Sequence, residues 1–478
     1  MVDLNLDEDA PLPLYRQLYA QLRDGILGGE LFAGHRLPAT RALADQLGVA
    51  RVTVQQAYNQ LAAEGYVVSR PGAGTFVVES LPPAPAEERP FVPRLSHWGE
   101  RVTRTAGSPA RPQRTARADF IDFGFGRSFP HIFPYDVWRR LLGRYLSTDD
   151  VMLSRYGSVA GFEPLRAAIA GYLRRWRDVR CSTEQVVIVN GLQQALDILA
   201  RLLLQAGDNV LVESPGYTDA FALLRVHGAH LVPLPVDEHG FPVEAIPAGV
   251  PARLAFVTPA NQFPRGGAMP LARRLALLHW AQENESLILE DDYDGALRYT
   301  GRPLGALQGL DECGHVVYLG SFSKVLFPAL RLGYVVLPEP LLQPFVQAKG
   351  IVDRGAPTLT QAAVADFITE GYFERHLRRL RRVYGRRRRI LTAALENELP
   401  CPVTFSSEPA GLHIMLTLTE DYEEATVIRD AAAAGVGVNP GAAYYLQKEP
   451  PPSILLGFSG LSEAQLREGV RRLASALC

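Results

Sequence analysis

GSFSKVLFPALRLGY, residues Gly320–Tyr334, is the stretch on which the reading of the fold turns. The apolar run Val316–Leu319 leads into it and reads as a short buried strand, and Leu332–Val336 reads as another. Between them a loop carries Lys324, flanked by Ser321 and Ser323, with Arg331 farther on. The only lysines in the chain are Lys324, Lys349 and Lys448; the remaining basic charge is arginine. A lysine amine condenses with an aldehyde, while hydroxyls and a planar guanidinium suit a phosphate. One loop offering all three points to pyridoxal 5′-phosphate, held by Lys324 as an internal aldimine, with Ser321, Ser323 and Arg331 on the phosphate.

The flanking sequence supplies partners for such a group. The strand Ser286–Glu290 runs into ILEDDYDG and delivers acids at its carboxyl end, where parallel-sheet ligands bind. Asp291 is the expected partner of the ring nitrogen and Tyr293 of the ring hydroxyl, whereas Asp294 reads as a solvated turn. Asn190-Gly191 joins a strand to a helix, so the N–H groups of Gly191, Leu192 and Gln193 form an anion site. Tyr217 is expected to stack on the ring, and Asn261 to reach its hydroxyl. Asp219 is expected to cap a helix over Ala220–Val226, the alternative being that it attracts a cationic amine. Tyr156 lies in a loop before the helix expected at Phe162–Arg174.

Strands at Gln185–Val189, Asn209–Glu213 and Arg253–Thr258 alternate with helices at Tyr135–Leu146 and Leu192–Gln205. That alternation predicts an α/β domain with a mostly parallel sheet. Helices dominate Thr360–Leu399. Mixed strands (Gly411–Leu418, Ser453–Phe458) and helices (Glu423–Ala434, Ser462–Leu477) then predict a smaller α+β lobe. The domain is expected over residues 119–478. Ahead of it, residues 81–118 are rich in proline and arginine and read as a semi-extended linker with a short turn near Trp98.

Residues 1–80 have a different texture. Leu14, Leu18, Leu22 and Ile26 fall at helical spacing over Leu14–Leu27. Thr40 is placed to cap a helix ending at Leu47, Gly48 stops it, and Ala50–Ala63 forms the next. Two helices about a glycine turn, followed by strands Tyr66–Ser69 and Thr75–Val78 around Arg70-Pro71-Gly72-Ala73-Gly74, make a winged helix-turn-helix. The second helix would enter the major groove, with Arg51, Thr53 and Gln55 toward the bases. Arg36 and Arg41 suit phosphates, and Gly72 and Gly74 let the wing backbone approach the minor groove.

The composition constrains partners. A formal net charge of −2 excludes a chain that binds nucleic acid through overall basicity, so DNA contact must be local. Cys181, Cys313, Cys401 and Cys478 have no metal-ligand spacing, and no metal site is expected. The acidic start MVDLNLDEDAPLP is unlike a signal peptide, and no apolar run is long enough for a membrane span. The expected location is the cytoplasm.

LPATRALADQLGV, RVTVQQAYNQLAAEGY and RPGAGTFV together resemble the GntR family of winged helices. The ordered set Tyr156, Gly191, Tyr217, Asn261, Asp291, Tyr293, Lys324 and Arg331 resembles fold-type I aminotransferases. The combination is similar to the MocR/GabR transcriptional regulators, and the resemblance covers nearly the whole chain. It implies a homodimer that binds double-stranded operator DNA and senses pyridoxal phosphate, alone or with an amine ligand. It also implies that Tyr156 reaches the phosphate of the neighbouring subunit. The alternative is a working aminotransferase carrying a DNA-binding domain, any turnover being a transaminase-type half-reaction. Two positions depart from the pattern. The family's carboxylate-binding arginine aligns with Leu455 in PPSILLGFSGL, and Asp219 stands where some members carry a second arginine. The run FERHLRRLRRVYGRRRR (Phe373–Arg389) reads as a solvated helical face, with a second DNA surface as the competing reading.

Overall fold

The computed structural model describes residues 4–79, 93–105, 119–126, 132–146 and 154–477. The chain divides into two units, residues 1–94 and 95–478.

In the smaller unit the expected periodicity becomes three helices and a hairpin. These are α1 (Leu14–Leu27), α2 (Thr40–Leu47), α3 (Arg51–Ala63), β1 (Val67–Arg70) and β2 (Gly74–Val77). Leu18, Leu22, Leu43, Val54, Ala57 and Leu61 close one core, so α1 buries the stripe that its spacing predicts. Gly48 ends α2 in the left-handed region at φ 68°, which a Cβ would disfavour. Thr40 does not cap α2: it is the first helical residue, and Ala39 holds the N-cap position without a side-chain bond.

Part of the expected linker is helical. Residues His97–Arg104 form α4, capped by the Ser96 hydroxyl accepting from Gly99 N–H, and belong to the larger unit. Residues 80–92 and 106–118 lie outside the described residues.

The larger unit begins with β3 (Ile121–Asp122), α5 (Tyr135–Leu146), α6 (Glu163–Trp176), β4 (Val186–Val189) and α7 (Leu192–Leu203). It continues through β5 (Asn209–Ser214), α8 (Thr218–Val226), β6 (His230–Pro235), β7 (Ala252–Val257), α9 (Leu271–Glu283), β8 (Leu287–Asp292), β9 (Val316–Ser321) and β10 (Gly333–Val336). Seven of these strands form one sheet in the order β4-β10-β9-β8-β7-β5-β6. All neighbours run parallel except β10, which is antiparallel to both β4 and β9. The sheet is therefore mixed, with one reversed strand. Apolar residues on one face feed a core under α7 and α8, and those on the other feed two, one under α9 and a larger one shared with α5, α6, α11 and α12. β6 carries Pro233 and Pro235 and takes the sheet edge, where a missing N–H is tolerated.

The remainder is α10 (Glu339–Asp353), α11 (Thr358–Thr369), the long α12 (Tyr372–Glu398), β11 (His413–Thr417), α13 (Glu424–Ala433), β12 (Val436–Gly437), β13 (Asn439–Pro440), β14 (Ser453–Gly457) and α14 (Glu463–Ala476). β11, β14 and β13 make a small antiparallel sheet. The arginine run on α12 is only partly a solvated face. Arg387 and Arg388 are buried and donate to the carbonyls of Ser459 and Ser406, while Arg381 Nε donates to Ala296 O. Arg381 thus ties α12 to the β8–β9 connection, and Arg387 and Arg388 tie it to the segments after β14 and before β11.

Candidate functional site

A cavity of ≈ 340 Å³ opens at the carboxyl ends of the central strands. β9 ends at Ser321, and the following loop brings Ser323 and Lys324 to the cavity wall. Ser321 Oγ accepts the Ser323 N–H at 3.1 Å, which fixes the loop. Lys324 Nζ lies 4.2 Å from the centre of the Phe125 ring. Arg331 is a non-glycine residue at φ 50°, a conformation that turns its guanidinium toward the β4–α7 junction. There Arg331 Nη2 donates to the Asn190 carbonyl at 3.4 Å, and a Cβ at Gly191 would come within 3.0 Å of the same nitrogen. Leu192 and Gln193 begin α7 at this wall, with Gln193 Oε1 buried and unpartnered among the described residues.

The end of β8 sorts its acids by strand alternation. Asp291 faces the cavity, and its Oδ1 is buried without a hydrogen-bond partner among the described residues. Burial, reinforced by Asp292 and Asp294, pushes its pKa well above the ordinary carboxylate value. Asp292 points the other way into a buried pair with Arg177 (Oδ2 to Nε 2.8 Å), and the Tyr318 hydroxyl donates to it as well. Asp294 is not a solvated turn: it is buried, accepts Asn261 Nδ2 at 2.9 Å, and burial pushes its pKa to about 8. The same Asn261 amide donates to Tyr293 Oη at 3.1 Å. Asn261 therefore sits behind Tyr293, and it is Tyr293 that lines the cavity.

Tyr217 forms a further wall, its hydroxyl donating to Asp219 Oδ2 at 3.2 Å. α8 begins at Thr218, so Asp219 lies inside the first turn and faces the cavity; Tyr217 holds the N-cap position that was expected of Asp219. Tyr156 is not brought to the cavity of its own chain. It is 86% exposed, with the Arg354 guanidinium 5.9 Å from its ring centre.

The opposite wall comes from residues that the sequence reading missed: Phe125, Phe263, Asn439, Pro440 and Tyr444. Asn439 pairs in register with Leu455, which pairs with Met415, so the three occupy one face of the small sheet. Leu455 is fully buried behind Asn439, whose amide donates to Leu455 O at 3.2 Å.

The β4–α7 turn is braced from outside the cavity. Asp353 Oδ2 accepts Asn190 Nδ2 at 3.0 Å and Gln194 Nε2 at 2.8 Å. The fully buried Lys349 holds both Asp353 oxygens at 2.9 Å. Among the described residues no group of His, Cys, Asp and Glu is placed to hold a metal, and no helix is long and apolar enough to cross a membrane.

In the smaller unit Arg51, Gln55 and Val52 are exposed at the start of α3, with Thr53 half-buried beside them. Arg51 Nε reaches Thr40 Oγ1 at 3.4 Å, and Gln55 reaches Asn59 at 2.9 Å. Arg36 and Arg41 are exposed as well. Gly72 and Gly74 adopt φ 75° and 116°, and a Cβ on Gly74 would strike Arg36 Nε at 2.9 Å. The wing tip therefore needs glycine for both conformation and space.

Comparison with known proteins gives two family matches. Residues 14–77 match bacterial regulatory proteins of the gntR family, and residues 129–473 match aminotransferase class I and II. The chain is 42% identical to the probable rhizopine catabolism regulatory protein MocR of Rhizobium meliloti, over 99% of this chain and 95% of that protein. It is 31% identical to the HTH-type pyridoxine biosynthesis transcriptional regulator PdxR of Corynebacterium glutamicum, over 100% and 98%. The kynurenine aminotransferase structure from Pyrococcus horikoshii superposes with a TM-score of 0.71 at 30% identity, covering 75% of this chain and 91% of that one.

Proposed function

The chain belongs to the MocR-type regulators, in which a GntR helix-turn-helix is fused to an aminotransferase class I and II domain, and from that premise we propose that its larger unit holds pyridoxal 5′-phosphate at Lys324 and uses that site to set how the smaller unit engages operator DNA. The observation that carries this reading is one cavity that joins Lys324, the unpartnered Asp291 Oδ1, and a wall of Ser321, Ser323 and Arg331 at the start of α7. When bound, the cofactor supplies an electrophilic carbon beside an electron-withdrawing ring.

The residues present fit that group. Lys324 Nζ would take the aldehyde. Asp291 would hold a proton on the ring nitrogen and gain the partner that its Oδ1 lacks. Tyr293 would take the ring hydroxyl, oriented from behind by Asn261. Ser321, Ser323, Arg331 and the N–H groups of Gly191, Leu192 and Gln193 would take the phosphate. Tyr217 would cover the ring. Tyr156, remote from its own cavity, is assigned to the phosphate of a second copy, which makes the working unit a homodimer. On the DNA side Arg51, Thr53 and Gln55 would read bases, while Arg36, Arg41 and the backbone at Gly72 and Gly74 hold the duplex. A regulator of this kind works in the cytoplasm with its DNA.

Sensing is favoured over turnover by the buried Leu455, which offers no charge to orient a substrate carboxylate. The test is the visible spectrum of the full-length protein with pyridoxal 5′-phosphate. An absorbance band that Lys324→Ala abolishes supports the assignment, and a band that survives the substitution overturns it.

A further inference from the structure

α8 has one end at the cavity and the other at α4. Tyr217, Thr218 and Asp219 at its start line the cavity. The helix is nine residues long, which spans about 14 Å. Ala220, Phe221 and Leu224 are buried in the core that α8 shares with α7. A Cβ at Gly216 would stand 2.7 Å from Phe221 Cζ, so the chain entering α8 is fitted closely against the helix itself. Just past the last turn, His227 Nε2 lies 2.8 Å from Asp197 Oδ1 on α7. α7 also begins at the cavity, with Leu192 and Gln193. A close-packed helix of this kind passes a displacement from one end to the other instead of absorbing it.

At the far end Arg101 of α4 donates from Nε to the Val226 carbonyl at 2.7 Å. That oxygen belongs to the last turn of α8, where a helix leaves its carbonyls without internal partners. The guanidinium also suits the negative end of the α8 dipole. A Cβ at Gly228 would lie 3.9 Å from the Arg101 guanidinium carbon, so the side chain crosses the turn after α8 at contact distance. Every residue of α4 is at least partly exposed. An eight-residue helix is marginal by itself, so docking sustains it. A shift of about 1 Å along α8 would open the 2.7 Å bond beyond hydrogen-bonding distance. α4 is also the first element of the larger unit, which begins at Leu95. Its eight residues span about 12 Å as a helix and about 26 Å extended, so unwinding lengthens the tether of the smaller unit by about 14 Å.

We infer that α8 carries the state of the Lys324 cavity to α4. Occupancy sets the position of α8, the position of α8 sets whether Arg101 keeps α4 docked, and docking sets the free length of the tether to the smaller unit. The inference rests on the cofactor reading above and adds the route from that site to the tether. Arg101 acts through α8 and α4, as a positioning residue.

Full-length wild type, Arg101→Ala and Thr103→Pro test it. Thr103 is exposed on α4, where proline breaks the helix and leaves Arg101 in place. Thr103→Ala, which keeps the helix, is the control. Amide hydrogen exchange over residues 97–105, with and without saturating pyridoxal 5′-phosphate, reads α4 directly. In wild type and Thr103→Ala the cofactor is expected to change the exchange rate there by at least about fivefold, the lower bound of ordinary coupling between sites. In Arg101→Ala and Thr103→Pro the segment is expected to exchange fast and alike in both states. Operator affinity at one fixed salt concentration is expected to follow the same division, with the absorbance titration for cofactor unchanged in all four proteins. The inference is overturned if wild-type α4 exchanges alike with and without cofactor, if Arg101→Ala or Thr103→Pro keeps the wild-type response, or if either variant loses cofactor affinity. Failure of the cofactor reading shows separately, as wild-type protein with no Lys324-dependent absorbance. Wild-type operator affinity indifferent to cofactor would sink the DNA-control reading and the tether step with it, while exchange in α4 still decides the link through α8.

Discussion

Lys349→Met tests whether the β4–α7 turn is held from outside the cavity. Lys349 is fully buried on α10, with its Nζ 2.9 Å from both oxygens of Asp353. Asp353 in turn accepts from Asn190 and Gln194, and the Asn190 carbonyl receives Arg331. Methionine keeps the stem and removes the charge. Removing one partner of a buried ion pair costs about 3–5 kcal/mol. Asp353 is 14% exposed and keeps Asn190, Gln194 and the Gly355 N–H, which brings the expected loss to about 2–3 kcal/mol. Asp353→Asn leaves the ammonium with no exposure and should be the more damaging single change. The double variant should cost less than the sum by about 1–3 kcal/mol. Burial alone would raise the Asp353 pKa, but Lys349, the Gly355 N–H and Gln194 more than reverse this, and the net shift is downward. The contribution is therefore present above the unfolded carboxylate pKa of about 3.9 and is lost as pH falls through the lower folded value. Urea unfolding of the full-length protein reads the stability, and visible absorbance against cofactor concentration reads the turn. Stability within about 0.5 kcal/mol of wild type, together with unchanged cofactor affinity, would refute the bracing argument.

Gly191→Ala combines φ 92° with a Cβ only 3.0 Å from Arg331 Nη2 and should raise the cofactor Kd about tenfold; an unchanged absorbance titration would count against the phosphate assignment. Arg51→Ala should cost about 1–3 kcal/mol in operator binding and relax base preference, whereas Arg36→Ala should weaken all sequences alike and lower the salt slope by about 1. Competition assays at several salt concentrations separate these two outcomes. His376 donates from Nε2 to Val325 O at 2.8 Å, beside Lys324, and burial pushes its pKa down to about 4. The unfolded state takes up a proton near pH 6.5 and the folded state does so only near 4, so stability should fall by about 3 kcal/mol between those values. His376→Gln should flatten that part of the stability–pH curve, and an unaltered slope would place the titration elsewhere.

Much of the cavity's lining was legible because its residues stand at strand ends and carry distinctive chemistry. Lys324 is conspicuous in a chain with three lysines, and the acids after Leu289 occupy the end of a buried strand. Alternation along β8 then separates Asp291, facing the cavity, from Asp292 in its pair with Arg177. What sequence did not yield depends on three-dimensional proximity. Phe125, Asn439 and Tyr444 are distant in the chain from Lys324 and come to it only through β3, β12 and the small sheet. Asp294 has the local look of a turn, but Asn261 and Gly411 pack over it. Arg387 and Arg388 belong to a run that is mostly exposed, and only packing against the segments at Ser459 and Ser406 turns these two inward. β6 escaped notice because Pro233 and Pro235 disguise an edge strand, and α10 because Pro344 interrupts its helical pattern. In the smaller unit helical spacing marked α1 and α3, since a single core enforces the period, and the Pro/Gly turn at Arg70–Gly74 marked the wing.

In the proposed function the Lys324 site governs DNA engagement. The most direct measurement is operator affinity of the full-length wild type and Lys324→Ala, each with and without saturating pyridoxal 5′-phosphate at one fixed salt concentration. The cofactor is expected to change the wild-type Kd by at least about fivefold, the lower bound of ordinary coupling between sites, and to leave Lys324→Ala unchanged. Equal affinities for wild type with and without cofactor would contradict it.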